Sequence, residues 1–179
     1  MSIHIALLRG INVSGQKKIK MADLRAHLGE LGFADVRTYI QSGNILLESD
    51  KSAGEVEEMI GDKIREKYGF EVPVMVKSPA DLKAAIDANP FKNDPEKDSK
   101  RFYLTFLAEE PAADRIAHLA TYDFPPEEYH LEDLVVHFYS PDSYGRAKMN
   151  NNFFEQKLKV QATTRNWRST LKLIEMAEE

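Results

Sequence analysis

The sequence predicts an α+β protein made of two ferredoxin-like βαββα units, each with its helices on one face of an antiparallel sheet, and with a helix at the C-terminus. Three observations lead to this fold class. Strand-like and helix-like runs alternate along the chain, their order occurs twice, and each half holds two short strand-like runs joined by a brief turn. A chain of 179 residues, of which 42% are apolar and 30% charged, has room for two small cores.

The first half, residues 1–94, begins with the order β, α, β, β, α, β. Residues 3–8 form a mostly apolar run that is typical of a buried strand. Ser42 and Gly43 separate two further strand-like runs, and a glycine there tolerates the positive φ of a tight hairpin turn. A short helix opened by Pro79 follows. The predicted elements are strand 3–8, helix 21–31, strands 36–41 and 44–48, a helix with apolar residues at positions 56, 59, 60 and 64, strand 72–77 and the Pro79 helix.

The second half, residues 95–179, repeats this order as far as its second helix. The polar, proline-containing residues 91–99 are predicted to connect the halves, which places the boundary near residue 95. Trp167, Leu171 and Ile174 recur at helical spacing, so a helix is predicted where the repeat would have its fourth strand. The predicted elements are strand 101–107, helix 111–121, strands 129–132 and 134–139, helix 152–159 and helix 165–177.

Composition excludes several kinds of site. The chain has no Cys, so disulfides, thiolate nucleophiles and Cys-based metal sites are excluded, which favours a reducing compartment. No stretch approaches the ~18 apolar residues of a membrane span, so we expect a cytoplasmic protein without a membrane partner. No metal and no cofactor is expected, because the histidines lack the spacing of metal ligands; they are His4, His27, His118, His130 and His137.

The net charge of −5 argues against non-specific binding to nucleic acid, but the charge is uneven along the chain. Residues 1–49 contain six Lys or Arg against four Asp or Glu, and residues 134–179 contain seven against five. Residues 50–133 contain eleven against twenty. The two ends are therefore basic and the middle is acidic.

The glycine-containing loop after the first strand invites comparison with a phosphate-binding P-loop. Its sequence from Gly10 to Lys17 places two glycines between a strand and a helix. Gln16 stands where a P-loop lysine would reach the β and γ phosphates, and lysines follow it rather than a Ser or Thr whose hydroxyl could bind magnesium. The sequence therefore does not predict a nucleotide triphosphatase, and a flexible loop with solvated lysines is the alternative.

Topology is expected to bring this loop close to the first hairpin turn. In a βαβ crossover the first two strands run parallel, so Arg9 and Gln41 would lie at the same edge of the sheet. With Ser42 and Asn44, they would offer a guanidinium, two amides and a hydroxyl. The residues predict a polar pocket, although the same side chains could simply stabilise the backbone of a turn.

A second candidate segment lies at the predicted start of the last helix. Thr164 is a suitable N-cap, which would place Arg165 and Arg168 in the first turn, where the helix dipole disfavours cations. An anion would offset that cost, either as a bound ligand or as an acidic side chain of the protein. Trp167 is expected to belong to the core because it shares a face with Leu171 and Ile174 rather than offering a stacking surface. The two basic segments are predicted to face one another across a cleft between the halves.

Four segments together resemble one family. They are residues 7–13, Leu-Leu-Arg-Gly-Ile-Asn-Val; residues 20–24, Lys-Met-Ala-Asp-Leu; residues 39–44, Tyr-Ile-Gln-Ser-Gly-Asn; and residues 162–167, Ala-Thr-Thr-Arg-Asn-Trp. The chain resembles the domain of unknown function 1697 family from residue 3 to about residue 176. Ser14 and Gln16 depart slightly from its pattern. The resemblance implies a pair of ferredoxin-like units and supplies no activity, substrate or catalytic residue.

Three functions remain in competition, and no catalytic residue is predicted, so whether the protein is an enzyme stays open. The first is binding of a small anionic ligand, with phosphate or carboxylate groups. The second is nucleic-acid binding, which the basic ends favour and the acidic total disfavours. The third is a non-catalytic protein-interaction module. The predicted ligand contacts are Arg9, Asn12, Lys18, Gln41, Ser42, Asn44, Thr164, Arg165 and Asn166.

Overall fold

The computed structural model describes residues 1–179 as eight β-strands and six α-helices. The α+β class with two antiparallel sheets and a C-terminal helix is confirmed. None of the helices combines the length and apolar character needed to cross a membrane. In chain order the elements are β1 (Ser2–Leu8), α1 (Met21–Gly29), β2 (Ala34–Tyr39), β3 (Asn44–Ser49), α2 (Ala53–Tyr68), β4 (Val74–Lys77), α3 (Pro79–Asp87), β5 (Phe102–Leu107), α4 (Ala113–Leu119), β6 (Glu128–Glu132), β7 (Val135–Tyr139), α5 (Asn151–Leu158), β8 (Ala162–Asn166) and α6 (Trp167–Glu178).

The chain divides into two units, and the division differs from the predicted boundary near residue 95. The first unit comprises Met1–Lys83 together with Lys172–Glu179, and the second comprises Ala84–Leu171. Both boundaries fall inside helices, α3 and α6. The residues there have the composition of a helix rather than that of a polar linker. A sequence argument based on polar linkers therefore has no signal at either point.

The first unit is built on a four-stranded sheet in the order β2-β3-β1-β4, with every neighbouring pair antiparallel. Alternate residues of the central strands, such as Ala6 and Leu8, face α1 and α2. Leu24 of α1 and Ile60 of α2 are fully buried against them. Helices that each present an apolar stripe therefore cover this face of the sheet, as a ferredoxin-like fold requires. Ile5, Leu7 and Leu46, which alternate with these residues, are also fully buried.

The last residues of the chain are bound to the first unit by Arg37 of β2. Its Nη1 donates to the backbone oxygen of Met176 at 2.8 Å and lies 3.3 Å from a carboxylate oxygen of Glu179. Its Nε lies 2.9 Å from the carboxylate of Asp35. One guanidinium thus fixes the end of α6 to a strand that lies 139 residues earlier in the chain.

The second unit has a four-stranded antiparallel sheet in the order β6-β7-β5-β8. Its helix-facing core is more aromatic than that of the first unit. Phe138 of β7 and Phe154 of α5 are fully buried, and their rings meet edge to face at 5.8 Å between centroids. Tyr103 and Tyr144 pack beside them.

The prediction that a helix replaces the fourth strand of the second unit is wrong. Residues 162–166 form β8, which pairs with β5 from Leu107 to Tyr103. The helix begins afterwards, at Trp167, because Asn166 is its N-cap and accepts a hydrogen bond from the amide of Ser169 at 2.8 Å. Thr163 and Thr164 are β-branched, and they take the extended conformation once β5 offers a partner.

The first hairpin also differs from its prediction. The connection between β2 and β3 contains four residues, 40–43, rather than two, because β2 ends at Tyr39. Ile40 and Gly43 both have positive φ, +51° and +86°. The turn is therefore longer and more left-handed than the Ser42-Gly43 pair alone indicates.

Candidate functional site

The loop after β1 and the turn between β2 and β3 meet at one edge of the first sheet. β1 and β2 each pair antiparallel with β3, which lies between them, so they run in the same direction and end at the same edge. The amide of Leu8 donates to the backbone oxygen of Gly43 at 2.8 Å. The structure thus places Arg9 and Gln41 at one edge, with β3 intervening between their strands.

Asn12 holds the two loops together. Its Nδ2 donates to the backbone oxygens of Gln41, at 2.7 Å, and of Ile19, at 2.9 Å, and its Oδ1 accepts from the amide of Ile19 at 2.9 Å. Both the nitrogen and the oxygen of the side-chain amide are used in these bonds. Asn12 therefore braces the loop, which is the alternative role that turn chemistry offers such a residue.

Replacing Asn12 by alanine is expected to lower the free energy of unfolding by about 1.5 kcal/mol, because three hydrogen bonds are lost and Asn12 has a left-handed φ of +53°. Urea denaturation of the two proteins measures the difference. Replacement of exposed Ser14, whose φ of +51° is similar, by alanine is the control for backbone strain alone. An equal loss of unfolding free energy in the two variants would contradict the role of Asn12 in holding the two loops together.

Asn44 has a comparable structural role on the other side of the turn. It is fully buried, and its Nδ2 donates to the backbone oxygen of Tyr39 at 3.0 Å and to the hydroxyl of Ser42 at 2.9 Å. The side chain thereby closes the turn between β2 and β3. Two of the predicted ligand contacts, Asn12 and Asn44, thus shape this edge of the sheet.

Left-handed backbone is concentrated in these two loops. Seven of their residues have a positive φ, namely Gly10, Asn12, Ser14, Gly15, Lys17, Ile40 and Gly43. Ile40 is the most unusual of them because a β-branched residue rarely adopts this conformation, and its side chain is also 49% exposed. Strained backbone of this kind collects at ligand-binding loops.

The side chains of the loop edge differ in how far they reach solvent. Lys18 and Gln41 are exposed, whereas Arg9 and Ser42 are half-buried. The Nζ of Lys17 donates to the backbone oxygen of Glu71 at 2.6 Å, so this side chain is bound outside the two loops. Lys18 and Gln41 are thus the polar side chains of this edge that meet water most fully.

The second predicted segment lies on β8 and contains a network of hydrogen bonds that the sequence did not reveal. The Thr164 hydroxyl lies 2.8 Å from that of Thr105 and donates to Oδ1 of Asn151 at 2.9 Å. Nδ2 of Asn151 donates to a carboxylate oxygen of Glu155 at 2.6 Å and to the backbone oxygen of Ala162 at 3.1 Å. The run of three asparagines at positions 150–152 is the signal that could have drawn attention to it.

Arg165 lies on β8, so the prediction that it stands in the first turn of a helix is wrong. Its Nη1 donates to the Thr163 hydroxyl and to the Thr164 backbone oxygen, both at 2.9 Å. Burial lowers the pKa of Arg165 to about 10, which leaves the guanidinium protonated at neutral pH. Helix-dipole repulsion cannot therefore be an argument for an anion beside Arg165, although it still applies to the exposed Arg168.

The remaining residues of this segment end the strand and begin α6. The Oδ1 of Asn166 caps the helix, as described above, and its backbone oxygen accepts from the Thr170 hydroxyl at 3.0 Å. Trp167 is half-buried and meets Phe102 edge to face at 5.5 Å between ring centroids. No group of three or more His, Cys, Asp or Glu side chains is arranged to hold a metal ion.

Comparison with known proteins gives a family and a fold. A family model described as a protein of unknown function, DUF1697, matches residues 1–137. Among solved structures, the chain is similar to a conserved bacterial protein from Streptococcus pneumoniae, with 25% sequence identity, 98% of each chain covered and a TM-score of 0.75. A search of curated proteins gave no match.

Proposed function

This chain belongs to the DUF1697 family of proteins of unknown function, and we propose that it binds a small anionic ligand, carrying a phosphate or carboxylate group, at the loop edge of its first unit. The observation that carries the proposal is the coincidence of left-handed backbone with cationic and amide side chains in the same two loops. Backbone amides in left-handed turns form concave surfaces that attract anions.

The roles of the side chains in this proposal follow from their contacts. Asn12 and Asn44 hold the two loops in place through the hydrogen bonds described above. Arg9, Lys18 and Gln41 are the proposed ligand contacts, since a guanidinium and an ammonium balance anionic charge and an amide adds a neutral donor. Ser42 contributes its hydroxyl.

The segment at the end of β8 supplies the other proposed ligand contacts, Thr164, Arg165 and Asn166. All three side chains make hydrogen bonds within the second unit, and Arg165 is the residue of this segment that we propose for anion binding because it is the cation among them. Its guanidinium carries a full charge at neutral pH because its pKa is about 10. The cleft between the halves remains a prediction from sequence.

The proposal is tested by the thermal stability of the protein in inorganic phosphate and in citrate at constant ionic strength. Binding to the folded state alone raises the melting temperature, and about 100 Kd of ligand adds about 2.7 kcal/mol. We expect the Lys18→Ala variant to lose most of that increase. Lys83→Ala is the matched control, since Lys83 is an exposed lysine of the same unit outside both loops.

Two results would contradict the proposal. One is an equal response of wild type, Lys18→Ala and Lys83→Ala to phosphate and citrate, which would indicate a general salt effect. The other is the absence of any response at concentrations of tens of millimolar, far above those at which specific sites fill. In either case a protein-interaction role without a small ligand would become the better hypothesis.

A further inference from the structure

Four strands form the edges of the two sheets, and three of these edges are closed by side chains or by irregular backbone. At β4, the amide of Val76 donates to a carboxylate oxygen of Glu57 at 2.8 Å. At β2, a bulge between Ala34 and Arg37 interrupts the regular ladder. Such features disfavour pairing of a sheet edge with another chain.

The edge at β8 is closed by side chains of its own unit. The backbone oxygen of Ala162 accepts from Asn151 at 3.1 Å, and the backbone oxygen of Thr164 accepts from Arg165 at 2.9 Å. Both oxygens lie on the same side of the strand, because backbone groups two residues apart point in the same direction. These two bonds satisfy acceptors that an added strand would need.

The remaining edge, β6, is regular and open. Its five residues pair with β7 without a bulge, from Glu128 opposite Tyr139 to Glu132 opposite Val135. No backbone hydrogen bond joins residues 129–132 to any segment other than β7. The strand contains neither proline nor lysine, which are the residues that usually protect an edge. Half of its backbone donors and acceptors thus face away from the sheet.

The hairpin that carries this edge lies in a strongly acidic stretch of the chain. Residues 116–145 contain no Lys or Arg and six Asp or Glu. Five of the six carboxylate residues are exposed, namely Asp123, Glu128, Glu132, Asp133 and Asp142. Two copies of β6 paired with each other would bring like charges together, which disfavours self-association through this edge.

One acidic side chain of this strand already binds a cation from the same unit. The Nζ of Lys97, from the segment before β5, lies 3.0 Å from a carboxylate oxygen of Glu128 and 5.1 Å from the ring centre of Tyr139. The imidazole of His130 lies 3.3 Å from Glu132, which also acts on the buried His137, and Asp133 is exposed. The far end of the edge therefore lacks the compensating lysine that its near end has.

We propose that β6 is a docking edge for an extended, basic segment of a partner protein, which adds a strand to the second sheet. The backbone of that segment would bond the outward backbone groups of β6, and its lysines or arginines would face Glu132 and Asp133. Strand addition supplies affinity through the main chain and specificity through alternate side chains. This proposal is independent of anion binding, which concerns the first unit.

The test uses a fluorescein-labelled peptide of about ten residues in which lysine alternates with valine, so that one face is basic and the length matches a strand with overhangs. A second peptide has proline in place of alternate valines and cannot form the ladder. Fluorescence anisotropy at low salt measures binding to the full-length protein. Hydrogen exchange of residues 128–132 shows whether the backbone of β6 is engaged.

Glu132→Lys and Glu110→Lys form a matched pair of variants. Both residues are exposed and lie in the second unit, and both substitutions change the net charge equally, but Glu110 lies outside the hairpin. We expect Glu132→Lys to weaken binding of the valine peptide about tenfold at low salt and Glu110→Lys to change it less than about twofold. The exchange of β6 amides in wild type should slow when the peptide is bound.

Each other outcome overturns the proposal. Equal weakening by the two variants would show attraction to net charge alone, and equal binding of the proline peptide would exclude strand addition. Binding without slower exchange in β6 would place the peptide elsewhere. A wild-type protein that does not bind the valine peptide at low salt, or that forms dimers whose β6 amides are protected, would exclude a basic partner at this edge.

Discussion

Replacement of Gly43 by alanine is expected to lower the free energy of unfolding by about 3 kcal/mol, because it combines backbone strain with a steric clash. Gly43 has a φ of +86°, a conformation that residues with a side chain rarely adopt. A Cβ atom at this position would lie 2.6 Å from Cβ of Leu8 and 2.9 Å from Cδ1 of Ile11. Both neighbours are fully buried and cannot move aside easily.

Gly61→Ala is the matched control for this substitution. Gly61 lies within α2 with an ordinary helical φ, and a Cβ there would meet no atom within 4 Å. We expect that variant to be more stable than wild type by about 0.5 to 1 kcal/mol, since alanine favours helix. Guanidinium denaturation measures both changes. Similar values for the two variants would show that the close approach at Gly43 has no energetic consequence.

Acidification is expected to remove about 2.5 kcal/mol of stability between neutral pH and about pH 4.5 through one buried histidine. His137 of β7 is 1% exposed, and its burial lowers its pKa from 6.5 to about 4, with a smaller effect of the same sign from His130. Glu132 opposes this shift. The unfolded chain therefore takes up a proton in this pH range while the folded protein does not.

The sign of the effect follows from that difference. The stabilisation from a neutral His137 is complete above pH 6.5 and is lost as the pH falls towards 4. His137→Leu cannot titrate, so its stability should fall less than that of wild type over the same range, by the amount stated above. His130→Gln, at the exposed partner position on β6, removes only the smaller of the two effects on His137 and should keep most of the wild-type fall. Parallel pH profiles for wild type and His137→Leu would contradict the prediction.

Local sequence was sufficient for the elements whose signals are local. The apolar spacing of Val56, Ile60 and Ile64 in α2 corresponds to a helix whose buried face contains these three residues. Its capping box, in which Ser52 and Glu55 bond each other's backbone amides, is equally local. The order of strands and helices was enough to infer the ferredoxin-like class, because few topologies accommodate it.

β8 could not be predicted in the same way, since its stability depends on a distant strand. Thr164 and Asn166 are both suitable N-caps, and nothing in residues 162–166 decides between them. The decision comes from β5, about 60 residues earlier, which pairs with β8 and holds Thr164 in an extended conformation. Arg165 was consequently assigned to the wrong element and the wrong electrostatic environment.

In the candidate site, residue types were easier to predict than residue roles. The carboxamides of Asn12 and Asn44 suit either a ligand or a turn, and only the distances to Gln41, Ile19 and Tyr39 identify the turn. Lys18 differs, because it is exposed and its side chain supports no turn. The sequence could therefore locate the loop edge but could not separate its supports from its proposed contacts.

The bond from Arg37 to Met176 has a consequence for how the protein is made. A ribosome adds about 5 to 20 residues per second, so Met176 emerges roughly 7 to 28 seconds after Arg37 has been synthesised. Until then the first unit lacks Lys172–Glu179 of α6, although all four strands of its sheet have been synthesised by Lys77. The second unit is synthesised within that interval. The first unit can therefore begin folding before the second but cannot complete its structure until after the second has been synthesised.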